Sequence, residues 1–346
     1  MRREIVSRTL GKTDVELSAL GFGAASLGNL YQAISNNQAR ETLQAAVDCG
    51  LTYIDTAPFY GYGLSERRVG DFLRSQGQDS FVLSTKVGRF LKPDVTADTN
   101  RIRDGFASPM PFRPEYDYSY DGIMRSYEDS LQRLGLGRID ILLVHDIGVQ
   151  THGADNGRHF QDLEMGGYRA LDELRKSGAV GAIGLGVNEW EICEQAMEIG
   201  QFDCFLLAGR YTLLEQEPFE SFFPKCKAHG ASIIVGGAYN SGILATGTKS
   251  GNVMHYNYEP ATTEIISRVQ CIERVCETYN VTLAAAALQF PLAHEIVASV
   301  IPGLGKVKRV EQTIALYHED IPVEFWQTLK DEGILPQNVP VPTGRR

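Results

Sequence analysis

Short apolar runs recur about eight times along the chain, and most are followed by a stretch with helical periodicity. This alternation is typical of βα units, in which parallel strands are joined by helices that cover the sheet. The candidate strands cover residues 20–23, 52–55, 81–85, 139–144, 182–186, 203–207, 232–235 and 298–301. The sequence therefore predicts a parallel sheet with helices on its surface.

One helix is well marked at residues 37–49. Apolar side chains recur on one face, Asn36 or Asn37 is expected to cap its start, and Gly50 is expected to end it. Ahead of the first predicted strand of the sheet, apolar and polar residues alternate around Gly11. This pattern predicts a β-hairpin that plugs one end of the fold.

A doubly wound sheet is the alternative to a barrel, and it requires a phosphate-binding loop after its first strand. Gly21 and Gly23 superficially match such a loop, but Ser26 stands where a third glycine or alanine is needed, and no convincing helix start follows. We therefore predict a (β/α)8 TIM barrel. No linker divides the chain, so we expect one domain over residues 1–346, with a barrel core at about 19–319.

Three connections are unusually long, and each follows a predicted strand. They cover residues 88–121, 146–166 and 237–263. Long loops in compact domains are usually functional, and α/β barrels build their sites at the carboxyl ends of the strands. These loops are therefore expected to form the recognition surface.

Composition excludes several classes of protein. Lys and Arg number 33 against 43 Asp and Glu, a net charge of −10, and no basic run is present to bind nucleic acid. No apolar stretch is long enough to span a membrane, and no apolar segment typical of a secretory signal follows the charged N-terminal residues. We expect a cytoplasmic protein that acts on a small molecule as a monomer or homodimer.

Metal binding is not expected. None of the six cysteines forms a C-x-x-C pair. His152 and His159 flank Asp155, but their spacing matches no metal motif, so a polar surface loop is predicted there.

Polar residues stand at the tips of three neighbouring predicted strands. Asp55, Lys86 and His145 end the second, third and fourth strands, and Tyr60 follows in a loop. Each has an ordinary structural explanation when taken alone, but together they converge on one barrel mouth. The ammonium of Lys86 would lower the pKa of the Tyr60 phenol, Asp55 would hold the ammonium, and His145 would orient a substrate oxygen. The set suits carbonyl and alcohol redox chemistry.

Three motifs carry a resemblance to a known family. They are DTAPFYGYGLSERRVG at residues 55–70, STK at 84–86 and LLVH at 142–145. In kind and order they resemble the aldo-keto reductase superfamily, over essentially the whole chain. The resemblance implies a (β/α)8 barrel, a catalytic tetrad of Asp55, Tyr60, Lys86 and His145, and NAD(H) or NADP(H) as cofactor.

Further segments resemble a subgroup of that superfamily, the bacterial D-threo-aldose 1-dehydrogenases or L-fucose dehydrogenases and the related pyridoxal 4-dehydrogenases. The segments are GLGVNEW at 184–190, FDCFLLAGRYTLLE at 202–215 and GGAYNSGIL at 236–244. The resemblance implies that Tyr239 stacks on the nicotinamide ring and that Asn240 faces the pyrophosphate. Asn188 lies near the polar pair that binds the carboxamide; alternatively it caps the following helix together with Glu191.

The loop after the last predicted strand matches the segment that holds the adenosine phosphates in this superfamily. Gly303 stands where many NADP-specific members have Lys, and Gln312 and Thr313 stand where they have Glu or Gln followed by Asn. Lys306 supplies local positive charge, and Arg309 can contact a 2′-phosphate or stack on adenine. NAD is the preferred cofactor, and NADP stays open.

Three functions are compatible with these features. The first is oxidation of C1 of an aldose, such as L-fucose or D-arabinose, to the lactone. The second is the same chemistry on another small molecule, as in a pyridoxal 4-dehydrogenase or a general aldehyde reductase. The third, a regulatory barrel subunit without activity, is disfavoured by the complete tetrad. The substrate and the physiological direction stay open.

Overall fold

Eight parallel strands form the central sheet of the computed structural model, which describes residues 4–249, 251 and 253–343. Every apolar run predicted to be a strand contributes one of them. The first and last strands meet through backbone hydrogen bonds, from Gly21 N to Val300 O at 2.9 Å and from Val300 N to Ala19 O at 2.9 Å. These bonds close the sheet, so the predicted (β/α)8 barrel is confirmed.

The strands and helices alternate along the barrel as expected. The strands are β1 (Ser7–Thr9), β2 (Glu16–Ser18), β3 (Phe22–Gly23), β4 (Tyr53–Asp55), β5 (Val82–Val87), β6 (Arg89–Pro93), β7 (Phe112–Tyr116), β8 (Ile141–His145), β9 (Ala182–Val187), β10 (Cys204–Ala208), β11 (Ser232–Gly236), β12 (His255–Tyr256), β13 (Glu259–Pro260) and β14 (Val297–Ile301). Around the barrel, the order is β3, β4, β5, β8, β9, β10, β11 and β14.

The α-helices lie mostly outside the barrel. They are α1 (Asn36–Asp48), α2 (Leu64–Leu73), α3 (Tyr120–Leu134), α4 (Val149–His152), α5 (Asn156–Asp162), α6 (Tyr168–Lys176), α7 (Glu191–Ile199), α8 (Pro218–His229), α9 (Ile243–Thr246), α10 (Thr263–Tyr279), α11 (Leu283–Gln289), α12 (Val307–His318) and α13 (Val323–Asp331). Within the described ranges, none of these helices has the length and apolar character needed to cross a membrane.

The predicted N-terminal hairpin is present as β1 and β2, which pair antiparallel with Arg8 opposite Leu17. Leu10 and Leu17 are fully buried and belong to the same apolar cluster as the barrel-interior residues Tyr53 and Ile141. The hairpin therefore closes one end of the barrel interior, as predicted. Met1, Arg2 and Arg3 lie outside the described residues.

Helix α1 matches its predicted position but not its predicted cap. The side chain of Ser35 accepts a hydrogen bond from Gln38 N at 3.1 Å, so Ser35, not Asn36 or Asn37, caps the helix. Ser35 lies before the apolar period begins, and its short side chain reaches the free amide. Gly50 has a φ of +87°, in agreement with the predicted helix end.

The three long connections carry secondary structure that their composition did not indicate. The first contains the antiparallel pair β6 and β7, and the third contains a 3-10 turn, α9 and the hairpin of β12 and β13. The second, expected to be a loop, is mostly helical, with α4, α5 and a short π-helix at Leu163–Gly167. The single domain over residues 1–346 stays a prediction.

Candidate active site

A cavity of about 690 Å³ opens at the carboxyl end of the barrel strands. Its position follows from topology, because parallel strands present the residues after their carboxyl ends to one face. Asp55 and His145 are the last residues of β4 and β8, and Lys86 is near the end of β5. The charged and polar residues of its wall include Tyr60, Lys86, Arg89, His145, Asp146 and Asn188.

Tyr60 is fixed in the turn between β4 and α2. Its carbonyl accepts a hydrogen bond from Ser65 N at 3.1 Å. Gly61 follows with a φ of +65°, and a Cβ there would lie 2.4 Å from Gly28 O. Only glycine fits this close backbone approach, which holds the turn against the first barrel loop.

The ammonium of Lys86 is the centre of the site. Its Nζ lies 2.8 Å and 3.0 Å from the two carboxylate oxygens of Asp55, 2.9 Å from Thr56 O and 3.2 Å from Tyr60 Oη. Lys86 and Asp55 are both 2% exposed. The buried ammonium is thus fully partnered, and it donates toward the phenol.

A layer of hydroxyl groups supports Asp55 from inside the barrel. Ser84 Oγ donates to Asp55 Oδ1 at 2.7 Å, and Tyr53 Oη lies 2.9 Å from Ser84 Oγ. These bonds leave the carboxylate little freedom, so it holds the Lys86 ammonium in one place.

The pKa values of Lys86 and Tyr60 are both raised, but for different reasons. Burial opposes the charge on Lys86, but Asp55 and Tyr60 outweigh it, so the pKa of Lys86 lies above its ordinary value. Burial raises the pKa of the Tyr60 phenol, and Lys86 opposes this shift without reversing it. The expectation that Lys86 brings this pKa below its ordinary value is therefore wrong, because the desolvation of the phenolate is larger.

His145 lies on the other side of Tyr60, with 6.2 Å between the ring centroids. Burial and the positive charges of Arg89 and Lys86 hold its pKa well below its ordinary value. The imidazole is therefore neutral near pH 7 and can offer one N–H donor. Nδ1 has no hydrogen-bond partner among the described residues, and Nε2 lies 3.4 Å from Asp146 Oδ2.

Three charged residues of the cavity, Arg89, Asp104 and Asp146, were not identified from the sequence. Arg89 and Asp146 form an ion pair at 3.2 Å between Nη2 and Oδ2. Asp146 directly follows the strand-tip residue His145, so its position next to a strand end was a signal that could have identified it. Arg89 begins β6 in a connection read as a loop, and the sequence contains no signal for its pairing.

Asn188 also lines this cavity. Helix α7 begins at Glu191, and its N-cap, Trp190, makes no side-chain capping bond. The Asn188 amide instead lies 3.4 Å from Asp146 Oδ1. The interpretation of Asn188 as a helix cap is therefore wrong.

The other predicted cofactor residues lie on the loops after β11 and β14, outside the wall of the cavity. Asn240 is 3% exposed; its amide donates to Gly209 O at 3.2 Å, and its Oδ1 has no partner among the described residues. Tyr239 precedes it and is half-buried. A buried unpaired carbonyl oxygen can accept a hydrogen bond from a bound molecule.

A second group of predicted cofactor residues surrounds the start of α12. Gly303 bridges to Gly23, and Lys306 is the N-cap of α12 without a side-chain capping bond. Arg309 and Gln312 are exposed in the first two turns. The start of a 12-residue helix with nearby cations and free amides suits a phosphate group, so the residues fit a dinucleotide.

His152 and His159 do not lie on a polar surface loop. They belong to α4 and α5, their ring centroids are 4.1 Å apart, and His159 is buried. Tyr118 Oη lies 2.9 Å from His152 Nε2 and donates to His145 O at 2.8 Å. In the described part of the chain, no three or more His, Cys, Asp or Glu side chains lie together so that they could hold a metal ion.

Comparison with known proteins places this geometry in a family. The model of the Aldo/keto reductase family matches residues 19–332. The chain belongs to this family. It is 43% identical over 336 residues to a pyridoxal 4-dehydrogenase from Microbacterium luteolum, covering 95% of this chain and 97% of that protein. It is 36% identical over 323 residues to a D-threo-aldose 1-dehydrogenase from a Pseudomonas species, covering 92% and 95%.

The fold of the family agrees with the observed barrel. An aldo-keto reductase from Bacillus halodurans, solved in its holo form, superposes with a TM-score of 0.73 over 95% of this chain and 96% of that one, at 24% identity. As an aldo-keto reductase, the chain is an oxidoreductase, and enzymes of this family act on small molecules with a nicotinamide cofactor.

Proposed function

We propose that this aldo-keto reductase oxidises a cyclic hemiacetal to a lactone, with Asp55, Tyr60, Lys86 and His145 as its catalytic residues. The observation that carries the proposal is the 3.2 Å contact between Lys86 Nζ and Tyr60 Oη at the wall of the cavity. An ammonium next to a phenol makes the phenol a proton-transfer group.

The reaction moves one proton and one hydride. The hydroxyl proton of the hemiacetal passes to Tyr60 Oη when the phenol is ionised, and the ring carbon becomes the lactone carbonyl as its hydride leaves. A nicotinamide cofactor, held by Tyr239 and Asn188, would supply the hydride acceptor. The neutral imidazole of His145 donates to the reacting oxygen and orients it, while Asp55 keeps Lys86 charged beside the phenolate.

Because the pKa of Tyr60 is raised, pH determines whether the site favours reduction or oxidation. Because burial raises this pKa, the phenol carries its proton near pH 7 and serves as an acid for carbonyl reduction. Oxidation needs the phenolate, so it becomes faster as the pH rises. The same residues thus serve both directions.

An aldose in its ring form is the first candidate substrate, with L-fucose and D-arabinose as specific cases. The chain is 36% identical to a D-threo-aldose 1-dehydrogenase. Pyridoxal is the second candidate, favoured by the 43% identity to a pyridoxal 4-dehydrogenase. In water pyridoxal also closes to a cyclic hemiacetal, so one mechanism covers both substrates.

The cofactor is proposed to be NAD, with NADP as the alternative. Tyr239 would stack on the nicotinamide, Asn188 would bind its carboxamide, and Asn240 would face the pyrophosphate. At the other end of the dinucleotide, the phosphate site would comprise Gly303, Lys306, Arg309 and Gln312. Gly303 offers no side-chain charge for a 2′-phosphate, which supports NAD.

A panel of aldoses and pyridoxal, each with NAD and with NADP, tests the proposal through the absorbance of the reduced cofactor. Turnover of L-fucose or D-arabinose with a lactone product is expected, faster with NAD. Turnover confined to pyridoxal contradicts the aldose assignment and keeps the hemiacetal chemistry. No turnover of any hemiacetal in either direction contradicts the proposed function.

A further inference from the structure

Asp146 is held in an unusual backbone conformation at the mouth of the barrel. Its φ is +45°, in the left-handed region that residues other than glycine rarely adopt. A hydrogen bond from Asp146 N to Gly186 O at 3.0 Å fixes the turn after β8. Such strain is concentrated at functional sites, and here it directs the carboxylate into the cavity beside His145.

Arg89 keeps this carboxylate in place. The guanidinium lies 4.3 Å from the ring centroid of Phe59 and 5.1 Å from that of Tyr116, and its side chain is 5% exposed. Stacked between two rings and paired with Asp146, the guanidinium has little freedom to turn toward a ligand. Arg89 is therefore a positioning residue for Asp146.

The accessible partner of the pair is Asp146, whose side chain is 16% exposed. Arg89 binds Oδ2, whereas the one side-chain hydrogen bond to Oδ1 within the described residues is the long 3.4 Å contact with the Asn188 amide. An ionised carboxylate has about four lone-pair sites, so acceptor capacity remains on the cavity side. A ligand that donates hydrogen bonds is the natural occupant of this position.

We propose that Asp146 accepts a hydrogen bond from the hydroxyl on the carbon next to the reacting carbon, and so selects polyhydroxylated ring substrates. The inference rests on the proposed function. His145 Nε2 and Asp146 Oδ2 are 3.4 Å apart, so an oxygen bound by His145 has its neighbouring oxygen within reach of Asp146. An aldose presents a hydroxyl donor there.

Pyridoxal presents a different group at that position. The carbon next to the reacting carbon of its hemiacetal is a pyridine ring carbon without an oxygen. The phenol is one carbon further away and is already ionised at neutral pH, so it cannot donate a hydrogen bond. A carboxylate facing it adds like-charge repulsion. The charge of Asp146 therefore favours an aldose over pyridoxal in this cavity.

The test compares an aldose with its 2-deoxy analogue on the wild type, Asp146→Asn and a control. The control is Asp172→Asn, because Asp172 is 17% exposed, pairs with Arg175 at 2.8 Å and lies on α6, away from the cavity. We expect the wild type and the control to prefer the aldose by about 10- to 100-fold in kcat/KM, the range of a hydrogen bond to a charged group. Asp146→Asn should bring the two substrates within about threefold, mainly through loss on the aldose.

Several outcomes overturn the inference. Equal loss on both substrates in Asp146→Asn means that Asp146 only positions His145, and a wild type without preference means that the hydroxyl is not bound. Turnover of pyridoxal alone overturns the inference and leaves hemiacetal oxidation standing, whereas no hemiacetal turnover contradicts the proposed function itself. If Asp146→Asn does not fold, Asp146→Ser replaces it. The comparison of the aldose with its 2-deoxy analogue on the wild type tests the inference without any variant.

Discussion

Replacing Lys86 by Met tests both the stability and the chemistry of the proposed tetrad. The side chain is 2% exposed and donates to Asp55, Thr56 and Tyr60. Met fills most of the same volume but leaves the Asp55 carboxylate buried, with Ser84 as its remaining side-chain donor in the part of the chain that the structure describes. Breaking a buried ion pair in this way costs about 3–5 kcal/mol.

The expected change in melting temperature follows from this loss of stability and from the length of the chain. At about 2.1 cal/mol/K per residue, 346 residues give an unfolding entropy of about 0.7 kcal/mol/K. The loss of about 3–5 kcal/mol therefore lowers the melting temperature by about 4–7 °C. Calorimetry measures this shift directly, and turnover should fall by about 10²- to 10⁴-fold because the phenol loses its ammonium.

Two further variants separate the causes. Asp55→Asn combined with Lys86→Met removes the stranded charge, so the double variant should regain about half of the lost stability or more while remaining inactive. Lys227→Met breaks an exposed ion pair with Glu295, at 64% and 67% exposure, and should shift the melting temperature by less than about 1 °C. A Lys86→Met variant that melts like the wild type, or a double variant no more stable than the single one, would show that Asp55 and Lys86 are not a stabilising buried ion pair.

Four other predictions follow from the same geometry. Tyr60→Phe should lower turnover by about 10²- to 10⁴-fold and leave the Kd for reduced nicotinamide, read by fluorescence titration, within about threefold; near-normal turnover would exclude Tyr60 as the proton-transfer residue. Because burial raises the pKa of Tyr60, kcat/KM for oxidation should rise through the alkaline range while that for reduction falls, and parallel profiles in both directions would contradict this role. Arg309→Ala should weaken NAD binding by up to about tenfold in calorimetric titration, and an unchanged Kd would remove Arg309 from the proposed site. Gly70→Ala places a Cβ 1.9 Å from Leu134 O and should cost about 1–3 kcal/mol in chemical denaturation, whereas Gly77→Ala, with open space around it, should cost less than about 0.5 kcal/mol.

The strand-tip residues could be placed from the sequence because of a geometric rule. In a parallel barrel the carboxyl ends of neighbouring strands meet, so Asp55, Lys86 and His145 had to lie at one mouth once their strands were located. Tyr60 is different, since it lies five residues beyond Asp55 in a turn. The chemistry of the set and the family resemblance both indicated that it joins the site, but its place beside Lys86 depends on the close approach of Gly61 to Gly28, which no local pattern contains.

Other features of the site depend on contacts that a local pattern does not contain. Arg89 and Asp146 are 57 residues apart, and their pairing depends on how β6 lies against the turn after β8. The connection from 146 to 166 is rich in polar residues and glycine, which predicts a loop, yet it folds into short helices with His159 buried against Tyr118. Tertiary packing outweighs local preference at both places.

Burial also explains why the pKa of Tyr60 shifts in the opposite direction from that predicted. Residue types alone suggested one ammonium acting on one phenol, and that pair lowers the pKa. The structure adds the desolvation of the buried phenol and the negative charges of Asp55 and Asp146, all of which raise it. Asp146 therefore has two consequences in one site, since the carboxylate proposed to select a hydroxylated substrate also makes the phenolate harder to form. Selectivity for an aldose and fast oxidation at neutral pH oppose each other in this cavity, and Arg89, which neutralises part of the Asp146 charge, reduces that conflict.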